Sequence, residues 1–248
     1  MPALHRPLAW CFVVLFGATA GLAQPAAQSR SSSSGGGAAR GIVIDDFEAY
    51  TRGDLPHRWQ FVQKRALVPV TEDVMTENER FVIEAERGNT FVRARVTDDA
   101  HRIVLASKAG LDWDLTTHPR LRWDWRAVQL PPGAREDQDQ LNDTGAAVYV
   151  YFDRDWLGRP RSIKYTYSST LPVGTEASYG NLRVVVVASA AEQGTGAWVS
   201  VERDVKADYE RLFGRTPPER PPLLALWSDS DNTGTTAVAD FDNITIKR

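Results

Sequence analysis

Short runs of alternating apolar and polar residues recur from residue 42 to the end of the chain, and they constrain the fold more than any other feature. The runs are IVIDDF, RWQFV, FVIEA, TFVRARV, RIVLA, LRWDWRAV, GAAVYVYFD, SIKYTYSS, LRVVVVAS, AWVSVE, LLALW and FDNITI. They are rich in β-branched and aromatic residues, and Gly, Pro, Asn and Asp separate them. A dozen short strands of this kind predict an all-β sandwich or barrel.

One segment has helical periodicity instead, and it predicts a short amphipathic helix at about residues 204–213. The apolar residues of DVKADYERLFG that share one helix face are Val205, Tyr209, Leu212 and Phe213. Asp204 suits the N-cap, and Gly214 suits the C-terminal stop. We expect this helix to cover a sheet edge or an open end of the sandwich.

The N-terminus has the pattern of an exported protein. His5 and Arg6 precede an apolar run from Leu8 to Leu22, and small residues suited to cleavage after Ala23 follow. We therefore expect a signal peptide at 1–23 and a periplasmic or secreted protein, with no stable transmembrane span after cleavage. Retention of this segment as an N-terminal anchor is the alternative.

The segment that follows is too small and too polar to form a core. Residues 24–40, QPAAQSRSSSSGGGAAR, predict a flexible Ser/Gly-rich linker, which leaves 41–248 as a single β-sandwich domain. Cys11 is the only cysteine, so the mature chain has no disulfide, thiolate nucleophile or cysteine-based metal site. Such a domain depends on its hydrophobic core for stability.

Neither charge nor histidine usage indicates a nucleic-acid partner or a catalytic centre. The predicted signal peptide contains one basic residue, Arg6, and no acidic residue. The mature chain therefore has 28 of the 29 basic residues and all 32 acidic residues, and no basic stripe is present. His57, His101 and His118 do not have metal-ligand spacing, and no GxSxG motif marks a nucleophile. Acidic residues in strand-like runs leave glycoside hydrolysis open, but we assign no catalytic residue.

Charged and aromatic residues are expected to share one outer sheet face, while Trp123 and Trp125 point into the core. If LRWDWRAV, AAVYVYFD and SIKYTYSS form neighbouring strands, this face consists of Arg122, Asp124, Arg126, Tyr149, Tyr151 and Lys164. Aromatic rings cover apolar CH groups and charges bind hydroxyls, so the set suits a polyhydroxylated ligand such as a glycan. Ordinary cross-strand pairing of Tyr with Arg or Lys is the alternative.

The segment LLALWSDSDNTGTTAVADFDNITI contains a candidate calcium site. Asp229 and Asp231 match the start of a calcium loop, and Asp240 occupies its twelfth position. The flanking runs predict strands and not the helices of an EF-hand, so structural Ca²⁺ would lie in a loop of the sandwich. An Asx-rich turn, in which Gly234 has a positive φ, is the alternative.

Several motifs resemble, in order, an exported bacterial family known only as domain-of-unknown-function family 3047. The motifs are LRWDWRAVQLPPGARE, AAVYVYFD, IKYTYSS, ERDVKADYERLFG and LWSDSDNTGTTAVADFDNI, and the resemblance covers most of residues 42–246. IDDFEAY and VADFDNITI are similar to the first and last strands of galactose-binding-type jelly rolls, the scaffold of many carbohydrate-binding modules. The resemblance implies a jelly-roll β-sandwich with adjacent terminal strands, often with structural calcium near them, and no catalytic residue.

These observations predict an exported, non-catalytic ligand-binding domain for a glycan or another polar envelope ligand. A polysaccharide-acting enzyme with unassigned carboxylates and a protein-binding envelope module are the two alternatives. A nucleic-acid partner is not expected.

Overall fold

Two β-sheets packed face to face form the architecture of residues 41–63 and 66–248, which this computed structural model describes. The strands of the six-stranded sheet are β1 (Ile42–Asp45), β4 (Glu79–Glu86), β5 (Asn89–Thr97), β7 (Arg120–Gln129), β12 (Val199–Asp204) and β14 (Thr236–Lys247). The strands of the eight-stranded sheet are β2 (Gln60–Gln63), β3 (Ala66–Pro69), β6 (Ala100–Ala106), β8 (Ala146–Arg154), β9 (Pro160–Ser168), β10 (Glu176–Tyr179), β11 (Leu182–Ser189) and β13 (Leu223–Asp229). The chain is therefore the predicted all-β jelly-roll sandwich. The segments predicted as a signal peptide, 1–23, and as a linker, 24–40, lie outside the described residues.

The strand order determines which side chains become neighbours. The six-stranded sheet runs β12-β7-β14-β5-β4, with β1 beside β14, and the eight-stranded sheet runs β10-β11-β9-β8-β13-β6-β2-β3. The strand pairs are antiparallel except for β9 and β11, which are parallel. Strands β8, β9 and β13 are thus neighbours, whereas β7 lies in the opposite sheet.

The first and last strands lie side by side, as the jelly-roll resemblance implies. Ile42 pairs with Ile246, and Val43 pairs with Thr245. The register of this pair shifts between Val43 and Asp45, and the register of β14 with β7 shifts between Asp242 and Thr245, where Asn243 adopts a positive φ of 52°. Strand β14 contacts β5 with its first half and β1 with its second half, and this bulge separates the two.

The hydrophobic core fills the space between the sheets and follows the predicted alternation. Trp123 and Trp125 are fully buried, and their rings contact those of Tyr165 and Tyr167 across the sandwich. The inward residues of β8 are Val148, Val150 and Phe152, also as predicted. Because strand side chains alternate between faces, Tyr149, Tyr151 and Lys164 lie on the outer face of the eight-stranded sheet.

The predicted amphipathic helix is α2 (Val205–Phe213); the four-residue helix α1 (Ala190–Gln193) was not predicted. The Asp204 side chain accepts a hydrogen bond from Ala207 N (2.9 Å), and Gly214 ends the helix at a φ of 65°. Buried Asp208 accepts hydrogen bonds from Tyr165 Oη (3.0 Å) and from the Arg203 guanidinium, which attaches the helix to the sandwich.

Two short 3-10 helices, Glu72–Val74 and Ser107–Ala109, complete the helical elements of the described residues. No helix in this part of the chain is long and apolar enough to cross a membrane.

Candidate functional site

A cleft of about 820 Å³ lies on the outer face of the eight-stranded sheet. Strand register places its central residues, because Tyr149 is opposite Lys164 on β9, and Tyr151 is opposite Ser162. Trp227 on β13 lies beside Tyr149, with ring centroids 5.2 Å apart. The volume falls within the range of small-molecule pockets in proteins.

The floor of the cleft is a small aromatic cluster. Tyr149 and Tyr151 stack with their ring centroids 5.8 Å apart and an interplanar angle of 14°. Their exposed fractions are only 6% and 8%. Three of the predicted binding residues, Tyr149, Tyr151 and Lys164, therefore line a cleft and not a flat, solvated sheet surface.

Lys164 and Asp229 are buried polar residues that line this cleft. Within the described residues, Lys164 Nζ has no hydrogen-bonded or ion-paired partner; it faces the Tyr149 ring at 5.7 Å. In the same part of the chain, Asp229 Oδ1 is buried without a hydrogen-bond partner. Burial lowers the pKa of Lys164, and nearby carboxylates oppose this shift; burial raises the pKa of Asp229, and the Lys164 ammonium opposes that shift.

One end of the cleft is acidic. Carboxylate oxygens of Asp143, Asp229 and Asp231 lie within 4.8 Å of one another. Glu136, also at the cleft, is buried and accepts hydrogen bonds from Thr166 Oγ1 (2.8 Å) and Ser168 Oγ (2.6 Å). Burial raises the pKa of Glu136 despite these hydrogen bonds. The acidic end thus contains two kinds of carboxylate. Glu136 accepts hydrogen bonds from protein side chains, whereas Asp229 Oδ1 is available to a ligand.

The DSDNTG segment forms a turn that is held by a carboxylate from another loop. Asp143 Oδ1 accepts a hydrogen bond from Asn232 N (2.9 Å), and Oδ2 accepts from Thr233 N (2.8 Å) and Thr233 Oγ1 (2.6 Å). Gly234 has a φ of 62°, as the turn interpretation predicts. Both oxygens of Asp143 therefore already accept protein donors, which favours turn stabilisation over Ca²⁺ coordination, where six to eight oxygen ligands are usual.

The structure separates Asp240 from the other two predicted metal ligands, because Asp240 lies in the six-stranded sheet, outside the group that Asp143, Asp229 and Asp231 form. Asp240 is fully buried and accepts hydrogen bonds from Arg93 Nε (2.6 Å) and Arg126 Nε (2.8 Å). These two guanidinium groups compensate its charge in place of an ion.

The predicted binding face is also divided between the two sheets. Arg122, Asp124 and Arg126 lie on β7, in the six-stranded sheet, and not beside Tyr149. Arg126 pairs with Glu86 (2.7 Å) and Asp240, and Asp124 accepts a hydrogen bond from Asn243 Nδ2 (3.0 Å). The prediction of one shared face assumed that β7 and β8 are neighbouring strands, and this assumption is wrong. On β7 the partners of Arg126 and Asp124 are acidic and amide side chains, and not the tyrosines of the alternative interpretation.

A comparison with protein families matches residues 69–245 to the family described as "Protein of unknown function (DUF3047)". The chain belongs to this family. The match confirms the resemblance that the sequence motifs carry, and it assigns no activity to a DUF3047 protein. No curated protein matches the sequence.

Solved structures with a similar arrangement include three carbohydrate-binding modules. The family 11 module of cellulosomal cellulase Lic26A-Cel5E of Clostridium thermocellum has 10% identity and a TM-score of 0.39, covering 85% of this chain and 96% of the module. The family 30 module of cellulosomal cellulase Cel9D-Cel44B of Clostridium thermocellum has 11% identity and a TM-score of 0.44, covering 83% and 97%. The non-crystalline cellulose specific module CBM28 has 10% identity and a TM-score of 0.43, covering 84% and 95%. At these values the likeness concerns the overall sandwich and carries no argument about the ligand of this DUF3047 chain.

Sequence reasoning missed Glu136 and Trp227, which line the cleft, and Asp143, which lies beside the cleft residues Asp229 and Asp231. Asp143 belongs to an Asp-Thr-Gly stretch just before β8, which has the composition of a turn. Its contact with the DSDNTG turn requires β8 and β13 to be neighbours, as the register of Ala147 with Trp227 shows. The sequence indicates that the Asp143 stretch and the DSDNTG segment are turns. Their contact could not be predicted, because it depends on which strands are neighbours.

Proposed function

We propose that the cleft binds a polyhydroxylated ligand, such as a glycan, without changing it chemically. The observation that carries this proposal is the pair of buried groups at the cleft, Lys164 Nζ and Asp229 Oδ1. One is a hydrogen-bond donor that faces the Tyr149 ring, and the other is an acceptor without a hydrogen-bond partner in the described residues. Buried polar groups in proteins are nearly always hydrogen-bonded.

A saccharide suits this pair because each hydroxyl both donates and accepts hydrogen bonds. A hydroxyl can accept from Lys164 and donate to Asp229, while neighbouring CH groups contact the rings of Tyr149 and Trp227. A purely apolar ligand would leave both polar groups unsatisfied. A purely anionic ligand would be repelled by Asp229 and Asp231.

Binding can be tested with a glycan array, with matched charge-removing variants on the two sheets. Lys164→Gln and Tyr149→Ala should each weaken binding by about ten-fold or more, because each removes a hydrogen bond or a ring contact of about 1–2 kcal/mol. Arg122→Gln, on the opposite sheet, is the control and should bind as the wild type does. Thermal melting should show that each variant is folded before its binding is compared.

Equal binding by Lys164→Gln and the wild type, or loss of binding only in Arg122→Gln, would contradict this assignment. An array without any bound glycan would contradict the saccharide as the ligand.

Glycoside hydrolysis is a second candidate function, and the Asp229–Asp231 pair favours it. The two carboxylates approach within 4.8 Å, close to the roughly 5 Å separation of retaining glycosidases, and burial raises the pKa of both. Release of reducing ends by the wild type, lost in Asp231→Asn, would support the enzyme. Bound glycan that remains intact would support the binding domain.

A further inference from the structure

We propose that Trp156 forms an outer subsite next to the cleft, and that the ligand is therefore a polysaccharide chain longer than the cleft itself. One part of the chain would occupy the cleft, and the adjoining part would stack on the Trp156 indole. This inference rests on the proposed function and adds a requirement for chain length.

Trp156 is an exposed aromatic residue on an ordered support. It lies between β8 and β9 with an exposed fraction of 89%, and Leu157 beside it is 54% exposed. Adjacent apolar side chains that form an exposed patch can mark a binding site. Trp156 is therefore the most conspicuous unpartnered aromatic surface of the described residues.

The turn that holds Trp156 is fixed by the Asp155 carboxylate. Asp155 Oδ1 accepts from Leu157 N and Arg159 N, both at 2.9 Å, while Oδ2 accepts from Arg159 Nε (2.7 Å) and Asn181 Nδ2 (2.8 Å). These hydrogen bonds lower the pKa of Asp155 to about 2, although desolvation opposes them. The carboxylate thus stays ionised, and the turn keeps its shape at neutral pH. The backbone that carries the indole is therefore ordered before a ligand binds, which reduces the entropy cost of binding.

The same turn is continuous with the cleft. Arg159 and Asn181, which hold the Asp155 carboxylate, both line the cleft. Along β8 the chain passes from Tyr151 at the cleft floor to Trp156, a path of at most about 17 Å at roughly 3.4 Å per residue. A ligand that extends from the cleft along β8 would therefore meet the indole.

Charge pairing at the turn favours a saccharide over a membrane surface. Arg159 pairs with Asp155 (2.7 Å), and Arg161 pairs with Asp153 (3.1 Å). Membrane-binding segments combine apolar residues with an excess of basic residues that contact anionic headgroups. Here Arg159 and Arg161 have acidic partners and Arg154 donates to the Gly158 carbonyl oxygen, whereas an indole suits the CH face of a sugar ring.

The test measures how affinity depends on chain length, using β-1,4-glucan, β-1,3-glucan, xylan and chitin oligomers from disaccharide to octasaccharide. Wild-type affinity should increase with length in the series that binds. Trp156→Ala should keep the disaccharide affinity and lose about ten-fold at the octasaccharide, the loss expected for one aromatic contact. Trp156→Phe should retain most of the increase. Trp198→Ala removes an indole from the six-stranded side and should bind every length as the wild type does.

Each outcome decides between the proposals. If Trp156→Ala binds every length like the wild type, or loses affinity equally at all lengths, the outer subsite is contradicted while cleft binding stands. If no oligomer binds to the wild type, the cleft proposal and the subsite proposal both fail. If Trp156→Ala instead loses binding to phosphatidylglycerol vesicles and not to oligomers, Trp156 contacts a membrane and the proposal is wrong.

Discussion

Lys164 and Asp229 differ from the other buried charged residues of the sandwich, because Lys164 contacts the Tyr149 ring instead of forming an ion pair, and Asp229 Oδ1 has no hydrogen-bond partner in the described residues. Asp45 accepts a hydrogen bond from Trp59 Nε1 (2.9 Å), and Asp208 and Asp240 each accept from guanidinium groups. Those residues have a structural explanation, because burial of an unpaired charge is unfavourable. Burial of Lys164 and Asp229 carries the same free-energy cost. A ligand that forms hydrogen bonds with both side chains would offset it.

The calcium hypothesis and the turn hypothesis for Asp229 and Asp231 predict different effects of calcium on stability. Because Asp143 already caps the turn, we expect melting curves recorded with calcium and with a chelator to coincide. Asp143→Ala should then destabilise the fold by about 1–3 kcal/mol, since three donors of Asn232 and Thr233 would lose their acceptor. A higher melting temperature in calcium, abolished by Asp231→Asn, would show that an ion binds only the folded state and would contradict this expectation.

Individual residue orientations were predictable from the sequence, but their partners were not. Alternation alone placed Trp123 in the core and Tyr149 on the outside, because strand side chains follow a period of two. Alternation contains no information about which strands are adjacent. That is why Arg122 was grouped with Tyr149, although the two strands lie in different sheets.

At the scale of elements, the bulge of β14 creates a titratable group near neutral pH. Asp242 precedes the positive-φ residue Asn243 and accepts hydrogen bonds from Asn243 N (2.7 Å) and Asn89 Nδ2 (2.8 Å). Burial, aided by the charges of Asp124 and Glu48, raises the pKa of Asp242 from 3.8 to about 7, although the hydrogen bonds oppose the rise. The folded state therefore binds this proton more tightly than the unfolded state does.

The Asp242 contribution to the free energy of unfolding should be fully present below about pH 4 and be lost as the pH rises towards about 7. Asp242→Asn resembles the protonated carboxyl and should remove this loss. Urea denaturation at about pH 5 and about pH 8 should show the wild type losing more stability than the variant over that interval. Parallel losses in both proteins would contradict the raised pKa.

The elements themselves were largely predictable, and the two strands that were missed have a common physical reason. The dozen alternating runs and the α2 segment correspond to observed elements, whereas β3 and β10 were not predicted. Both missed strands contain four residues and form the outer edges of the eight-stranded sheet. Edge strands bury one side only and need no continuous apolar pattern, so the sequence carries little signal for them.

At the scale of the whole molecule, the two outer faces of the sandwich have different chemistry. The six-stranded face contains ion pairs such as Arg93 with Asp240 and Arg126 with Glu86. The eight-stranded face contains the cleft, with buried polar groups that lack partners in the described residues. The strand order therefore separates a face stabilised by internal pairing from a face suited to a ligand, and we place binding on the second face alone.

A nuclear magnetic resonance titration can locate the ligand on the eight-stranded face. Isotope-labelled protein would be titrated with the oligosaccharide of highest affinity on the glycan array. The amide signals of Tyr149, Lys164 and Trp227 should shift with ligand concentration, while those of Arg122 and Arg126 should not. Shifts confined to β7 and its neighbours, with an unchanged cleft, would contradict the assignment of ligand binding to the eight-stranded face.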